Sequence, residues 1–469
     1  MFLYHQLSTR FVEMISAGTL QPGDKLPSVR VLSKEQGVSQ STAFQCYIDL
    51  ENKGLVESRP RSGYYVKFNP AQISGCTDTF VENPQPVHEI DDMITTVLQH
   101  SVIPNMTHFS INAPSEAMLP LAKMKRSVHH VLNNYPQQAL SYERPEGNEG
   151  LRKQIARLVF DAGAQITPSE VIITNGCLEA INLALQATTN RGDRVAIESP
   201  TYYGIHQALI NKGLEPVEIE THTHSGIDLQ VLERHLVDDK IRVCVFVTNF
   251  GNPLGACVPE EKKKQLVQLI QRYNVKLIEV DIYGSLHFDD FRPKTCKAYD
   301  TADHVILCSS VSKSLAPGYR VGWIIAGKEY RKVLHLKLNQ SVASPTLTQA
   351  AVAHFMENGR YDLHIRALRK ALYMQSLRYL KAIHDYFPDD VRVTQPKGGY
   401  VFWVSLKPGA NTWDIYHEAL KWGISFAPGQ IFSKKYDFSN YMRISFGLPF
   451  TPAVDQALKT LGDIVRSRY

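Results

Sequence analysis

Apolar and polar positions alternate in three different ways along the 469 residues. Near the start, Phe2, Leu3, Leu7, Phe11, Met14 and Ile15 recur at helical spacing, and "SAGTLQPGDKLP" breaks that helix with Gly and Pro. Ser28 is placed to cap a second helix, "VRVLSKEQ", which ends at Gly37, and Ser39 to cap a third, "QSTAFQCYIDLENKG", which ends at Gly54. "LVESRPRSGYYVKF" then alternates about an Arg-Ser-Gly turn, as a small hairpin does. Three helices and a hairpin in this order predict a winged helix-turn-helix over residues 1–68.

Between about Asn69 and Gln85 no periodicity is visible and Pro, Asn, Ser and Thr are frequent, so residues 69–104 are expected to be a linker. Beyond it the pattern changes. "VIIT", "RVAIE", "RVCVFVT", "VKLIEV" and "HVILCS" are unbroken apolar runs, as strands covered on both faces must be. Helical stretches such as "LEAINLALQA" and "EEKKKQLVQLIQRY" lie between them, which predicts a large, mostly parallel α/β domain over residues 105–337. From residue 338 to 469, helices mix with alternating strands such as "GGYVFWVSL" and "YMRISFG", and a smaller α+β lobe is expected.

Composition narrows the class without naming it. With 43% hydrophobic and 21% charged residues the chain reads as globular, and a net charge of +5 is too small for a wholly basic nucleic-acid coat. Seven scattered cysteines with no CxxC or Cys/His cluster support neither a disulfide framework nor a metal site. The N-terminus lacks a signal-peptide pattern and no run reaches the about 18 apolar residues of a membrane span, so a cytoplasmic protein without membrane or metal partners is expected.

The chemistry gathers where strands end. In an α/β sheet, ligands bind beyond the carboxyl ends of the strands. "VIIT" is followed by "NGCLEAINLAL", a glycine opening a helix whose free N–H groups can hold a phosphate. "RVAIE" is followed by "SPTYYG", "RVCVFVT" by "NFGNPLG", "VKLIEV" by "DIYGSL", and "HVILCS" by Lys313 and then Arg320. Singly each has a plainer reading: Lys313 as a half-exposed or salt-bridged residue, Asp281 as a helix cap, Tyr202 as packing, "GNPLG" as a turn. Together they supply a phosphate grip, a stacking ring, an amide, a carboxylate, a phenol and a lysine. Those are the parts of a pyridoxal phosphate (PLP) site, in which a lysine of lowered pKa condenses with the aldehyde and a carboxylate keeps the ring nitrogen protonated.

Residues from about 105 to 469 resemble a fold-type I aminotransferase of the aspartate aminotransferase superfamily. The matching motifs are "SYERPEGNEGLR", "NGCLEA", "ESPTYYG", "GNPLG", "DIYGSL", "SVSKSLAPGYRVGW" and "YMRISFG". The resemblance implies that Lys313 is the Schiff-base lysine and Asp281 the partner of the pyridinium. Asn252 and Tyr283 would bind the ring hydroxyl and Tyr202 would stack on the ring. Gly176, Cys177 and Leu178 would offer backbone N–H groups to the phosphate beside Ser310, Ser312 and Arg320, and Tyr142 would reach the phosphate of the neighbouring subunit. Arg443 would grip a substrate carboxylate. The chain departs from the pattern at Cys177 and Leu178, where hydroxyl or amide side chains are common, and at Asn112, where glycine is usual near the substrate.

"LPSVRVLSKEQGVSQSTAFQCYIDLENKGLVESRPRSGYYV" resembles the DNA-binding domain of GntR-family bacterial regulators. Gln40, Ser41 and Thr42 would face base edges in the major groove, Arg30 would touch phosphate or guanine, and Arg59 and Arg61 would flank the wing. Gln40 stands where many relatives have arginine, which favours adenine over guanine there. Eight Lys and Arg against six Asp and Glu in residues 1–67 predict modest, salt-sensitive non-specific affinity. A winged helix that docks protein is the alternative for this unit.

The two units in one chain resemble the MocR subfamily of GntR-family regulators. That implies a PLP-binding homodimer on double-stranded promoter DNA, sensing an amino compound or PLP. The alternative is a working PLP-dependent aminotransferase whose DNA-binding domain is secondary.

Overall fold

The computed structural model describes all residues except 1–2, 17–18, 21–23, 60–61, 68–73, 77, 85, 239 and 469. The N-terminal unit has helices α1 (Leu3–Ser16), α2 (Val29–Glu35) and α3 (Gln40–Asn52), then a hairpin of β1 (Val56–Arg59) and β2 (Gly63–Val66). The expected caps form: Ser28 Oγ accepts from Val31 N at 3.3 Å and Ser39 Oγ from Thr42 N at 3.1 Å. Leu7, Ile15, Leu32, Cys46, Tyr47, Leu50 and Val66 close a separate small core.

The stretch expected to be a linker is partly structured. Helix α4 (Val87–His100) lies inside it, with Ile90, Ile94 and Val97 buried at helical spacing. Upstream, the Cys76 thiol donates to the carbonyl of Trp403 at 3.1 Å, and Thr79 Oγ1 lies 2.8 Å from the Tyr441 hydroxyl. These contacts join residues far apart in sequence, so no local periodicity announces them.

The large unit is built on an eight-stranded mixed sheet. Its strands are β3 (Val171–Thr174), β4 (Arg194–Ser199), β5 (Glu215–His222), β6 (Gly226–Ile227), β7 (Val243–Phe246), β8 (Lys276–Val280), β9 (Val305–Ser310) and β10 (Gly322–Ile325). Their order is β3-β10-β9-β8-β7-β4-β5-β6. The five central strands β9, β8, β7, β4 and β5 run parallel, and β10 runs antiparallel between β9 and β3. Every residue of β3, β7 and β9 is buried, the reason these runs carry no polar alternation. Helix α5 (Cys177–Thr188) follows β3, and the 27-residue α6 (Arg360–Tyr386) leads into the small lobe. There β11 (Arg392–Val393), β12 (Val401–Ser405), β13 (Ala427–Pro428) and β14 (Tyr441–Ser445) form a four-stranded sheet in the order β11-β12-β14-β13.

Among the described residues no helix is long and apolar enough to cross a membrane, and no group of three or more His, Cys, Asp or Glu could hold a metal ion.

Candidate functional site

The carboxyl ends of β3, β7, β8 and β9 converge with the start of the small lobe. After β3, Gly176 takes φ +82°, a conformation that strains any other residue, and a Cβ there would lie 2.4 Å from the Arg320 guanidinium and displace it. Arg320 reaches the same corner: Nη2 donates to Asn175 O at 3.2 Å and Nη1 to Ser312 Oγ at 3.4 Å. Its own backbone is left-handed, φ +53° and ψ 41°, an arrangement these hydrogen bonds hold in place. Ser310 Oγ accepts from Ser312 N at 3.3 Å. The first N–H groups of α5, the Ser310 and Ser312 hydroxyls and a guanidinium thus share one corner, with the donor set of a phosphate cradle. Cys177 is buried beside it, whereas the Leu178 side chain is exposed.

Lys313 follows β9 with its amine enclosed. Burial, followed by the positive charges of Arg443 and Arg320, lowers its pKa from the usual 10.5 to about 8. Its Nζ donates to the backbone carbonyl of Asn112. The same carbonyl accepts from the Tyr400 hydroxyl at 3.3 Å, and Asn112 Nδ2 donates to the Tyr283 hydroxyl at 2.7 Å. Burial pushes the Tyr283 phenol upward, so it stays protonated.

Asp281, at the end of β8, is buried with both oxygens engaged. Oδ1 accepts from Asn249 Nδ2 at 2.9 Å and Oδ2 from Arg292 Nη2 at 2.5 Å. Asn249 is oriented in turn by the buried Lys263, whose Nζ donates to Asn249 Oδ1 at 2.6 Å. A carboxylate in the interior needs such partners.

Arg443, on β14, is also enclosed. Nη1 donates to Asn252 Oδ1 at 3.4 Å and Nη2 to the carbonyl of Ser110, while Nε is buried without a partner. Asn112 Oδ1 is likewise buried and unpartnered. Two unpartnered buried polar atoms at one site leave hydrogen-bonding capacity there for a ligand or a water. Tyr202 is half-buried, its ring 4.5 Å from that of Tyr203, with its hydroxyl within the influence of Tyr283 and Arg443.

Lys313, Asp281, Tyr283, Asn252, Tyr202, Ser310, Ser312, Arg320, Gly176, Asn112 and Arg443 therefore lie around the same strand ends. Tyr142 does not join them; it is 92% exposed, beside a cleft of about 490 Å³ lined also by His130, Arg144 and His354. Missed from sequence were Asn249, Lys263, Arg292, Tyr400 and Ser110. Asn249 stands in the quoted "NFGNPLG" and Tyr400 in "GGYVFW", where motif order gave a signal; Lys263, in the first turn of a helix, and Arg292, in a loop, gave none.

In the N-terminal unit, Arg30, Gln40 and Ser41 are exposed at the start of α2 and α3. Thr42 is half-buried, its hydroxyl 2.8 Å from Ser39 Oγ, so it serves the cap. Phe44 is exposed further along α3. The side chain of Arg59 and the whole of Arg61 lie outside the described residues.

Residues 3–66 match the family of bacterial regulatory proteins, gntR family, and residues 104–461 match aminotransferase class I and II. Over 465 residues the chain is 37% identical to the HTH-type transcriptional regulator YdcR of Escherichia coli (strain K12), covering 99% of each chain. Among solved structures it is similar to a multiple substrate aminotransferase from Thermococcus profundus (TM-score 0.74, 25% identity, 80% of this chain and 94% of that one). It is similar also to LysN, an α-aminoadipate aminotransferase from Thermus thermophilus (TM-score 0.73, 25% identity, 80% and 94%), solved with N-(5'-phosphopyridoxyl)-L-leucine. The two matched units meet in one chain, which belongs to the GntR-type regulators that carry an aminotransferase class I and II domain, the MocR-type architecture.

Proposed function

We propose that this protein is a bacterial transcriptional regulator that binds promoter DNA through its winged helix and senses an amino compound in a PLP-loaded pocket around Lys313. The aminotransferase class I and II family is PLP-dependent, and the residues present fit the cofactor. Lys313 would bond its aldehyde carbon, Asp281 would face the ring nitrogen, and Asn252 and Tyr283 would meet the ring hydroxyl. The α5 N-terminus, Ser310, Ser312 and Arg320 would hold the phosphate, and Tyr202 would cover the ring. PLP supplies a carbonyl that condenses reversibly with amines and a ring that draws electrons from them.

The observation that carries the reading is the unpartnered Nε of Arg443, buried a short way from Lys313 in a chain that opens with a DNA-binding helix. A guanidinium in that position awaits a carboxylate, so the sensed compound carries both an amine and a carboxylate. Lys313, released from its partner, becomes a free amine of depressed pKa and can accept or return a proton at Nζ. Such a compound shifts the protein between arrangements only by its difference in affinity for them. A homodimer in the bacterial cytoplasm is the natural setting, with the exposed Tyr142 of one subunit reaching its partner's site.

Absorption spectroscopy tests the pocket. The purified chain with PLP should develop a visible band that changes to a stable new form with one member of a panel of amino acids. Lys313→Ala should lack the initial band while remaining folded; a normal band in that variant overturns the assignment. Continuous conversion to the pyridoxamine form, reversed by a keto acid, would favour the aminotransferase reading, which the presence of Lys313, Asp281 and Arg443 in one pocket keeps open.

A further inference from the structure

Helix α6 touches both the lysine loop and the DNA-binding unit. At its start, His364 Nε2 lies 2.7 Å from the carbonyl of Ser314, the residue after Lys313, and the Tyr361 hydroxyl lies 3.2 Å from Ser314 Oγ. All three residues are buried. Three turns further on, the Tyr373 hydroxyl donates to the backbone carbonyl of Lys53 at 2.9 Å. Lys53 is the C-cap of α3, the helix expected in the major groove. Beside it, Gly54 takes φ +71°, and a Cβ there would lie 2.4 Å from Leu377 Cδ1, so the turn after α3 sits directly on α6.

The geometry of α6 suits it to carry displacement. It runs 27 residues without Gly or Pro, and Tyr361 and Tyr373 are about 18 Å apart along its axis. Arg369, Tyr373 and Leu377 recur every four residues and form one stripe. On that stripe the Arg369 guanidinium meets the His287 ring, and the Tyr373 ring packs 5.6 Å from that of Phe288. His287 and Phe288 belong to the loop that continues from Asp281 and Tyr283. Two lines from the pocket, through Ser314 and through Phe288, thus converge on the helix that holds α3.

We propose that the Tyr373–Leu377 stripe of α6 is the docking surface for the DNA-binding unit, and that α6 conveys the state of the Lys313 loop to the C-terminal end of α3. This rests on the reading of the pocket as a sensor. In that reading, occupancy of the pocket moves Ser314 and Phe288, α6 follows as a rigid body, and the hydrogen bond to Lys53 tightens or lets go. The orientation of α3 then changes without any alteration within the winged helix.

Hydrogen–deuterium exchange on the full-length chain tests this, using PLP as the probe and recording the visible spectrum in parallel. Exchange in residues 50–56 should change by about fivefold on adding PLP, the scale of one net hydrogen bond. Tyr373→Phe keeps the ring on Phe288 and removes only the donor. It should abolish the change at 50–56 and preserve the change at 361–370. An undiminished response at 50–56 in Tyr373→Phe overturns the proposal, as does a wild-type response confined to 361–370. A second arm needs no cofactor: Tyr361→Phe should alter exchange at 50–56 in the wild-type background and not in Tyr373→Phe. If no visible band forms with PLP, the cofactor reading fails, and this second arm still decides the relay: an equal effect of Tyr361→Phe in both backgrounds, or none in either, rejects it.

Discussion

Lys313 carries an amine whose pKa burial has brought to about 8, well below that of an exposed lysine. Only the neutral amine attacks an aldehyde, so capture of PLP by the cofactor-free protein should quicken roughly tenfold per pH unit up to about 8 and level off above it. Stopped-flow absorbance checks this; a rate still climbing far above that pH would mean an ordinary, exposed lysine. Arg443 makes the second residue-scale prediction. Its Nε has no partner, and the guanidinium is an enclosed group suited to grip a carboxylate. Arg443→Leu should weaken the response to amino acids about a hundredfold while leaving that to amines without a carboxylate within about threefold. Spectral titration separates the two classes of compound.

At the scale of elements, function depends on how strand ends are fastened to one another. Gly176 allows β3 to turn into α5 beneath Arg320. Gly176→Ala should displace the guanidinium and strain a φ of +82°, reducing PLP affinity at least about tenfold in equilibrium titration, with little loss of secondary structure. The end of β8 is fastened differently, by Arg292 on one side of Asp281 and the Asn249–Lys263 pair on the other. Arg292→Leu leaves a buried carboxylate short of a partner and should cost on the order of 3 kcal/mol in the cofactor-free protein. Denaturant melts should show a smaller loss with PLP present if, as proposed, its ring nitrogen partners Asp281.

Strand ends were also where the sequence was most legible. Unbroken apolar runs mark β3, β7, β8 and β9, and the residue after each run must emerge on the ligand side of the sheet. Asp281 follows such a run directly, whereas Lys313 and Asn252 stand further along the loops and were singled out by the motifs around them. Arg292 and Lys263 gave no such signal, because Arg292 meets Asp281 from a loop and Lys263 meets Asn249 from the first turn of a helix, through contacts that only tertiary packing creates. Helix α4 was missed for the same kind of reason: its stripe of Ile90, Ile94 and Val97 is present, but it stands behind a Pro-rich stretch and invited the simpler reading of a linker. Thr42, expected on the DNA-reading face, also has its hydroxyl beside that of the cap residue Ser39, a contact the sequence pattern did not announce.

For the whole molecule, the consequential feature is that the pocket and the reading head belong to one chain and are bridged by α6. A small basic excess in residues 1–67 gives the winged helix little non-specific hold, so specificity must come from a few base contacts and, in the proposed dimer, from the spacing of two half-sites. Spacing is what a conformational change in the large unit can alter. The central claim, a regulator whose DNA binding answers to its pocket, is tested most directly by selecting binding sites for the full-length protein from a random duplex library at fixed salt. The selection is run with PLP alone and with PLP plus amino acids. The account predicts an enriched pair of half-sites whose affinity or spacing changes with one amino acid and ceases to change in Lys313→Ala. No enriched sequence under any condition, together with steady conversion of amino acids to keto acids by the same preparation, would contradict it and identify the chain as an enzyme.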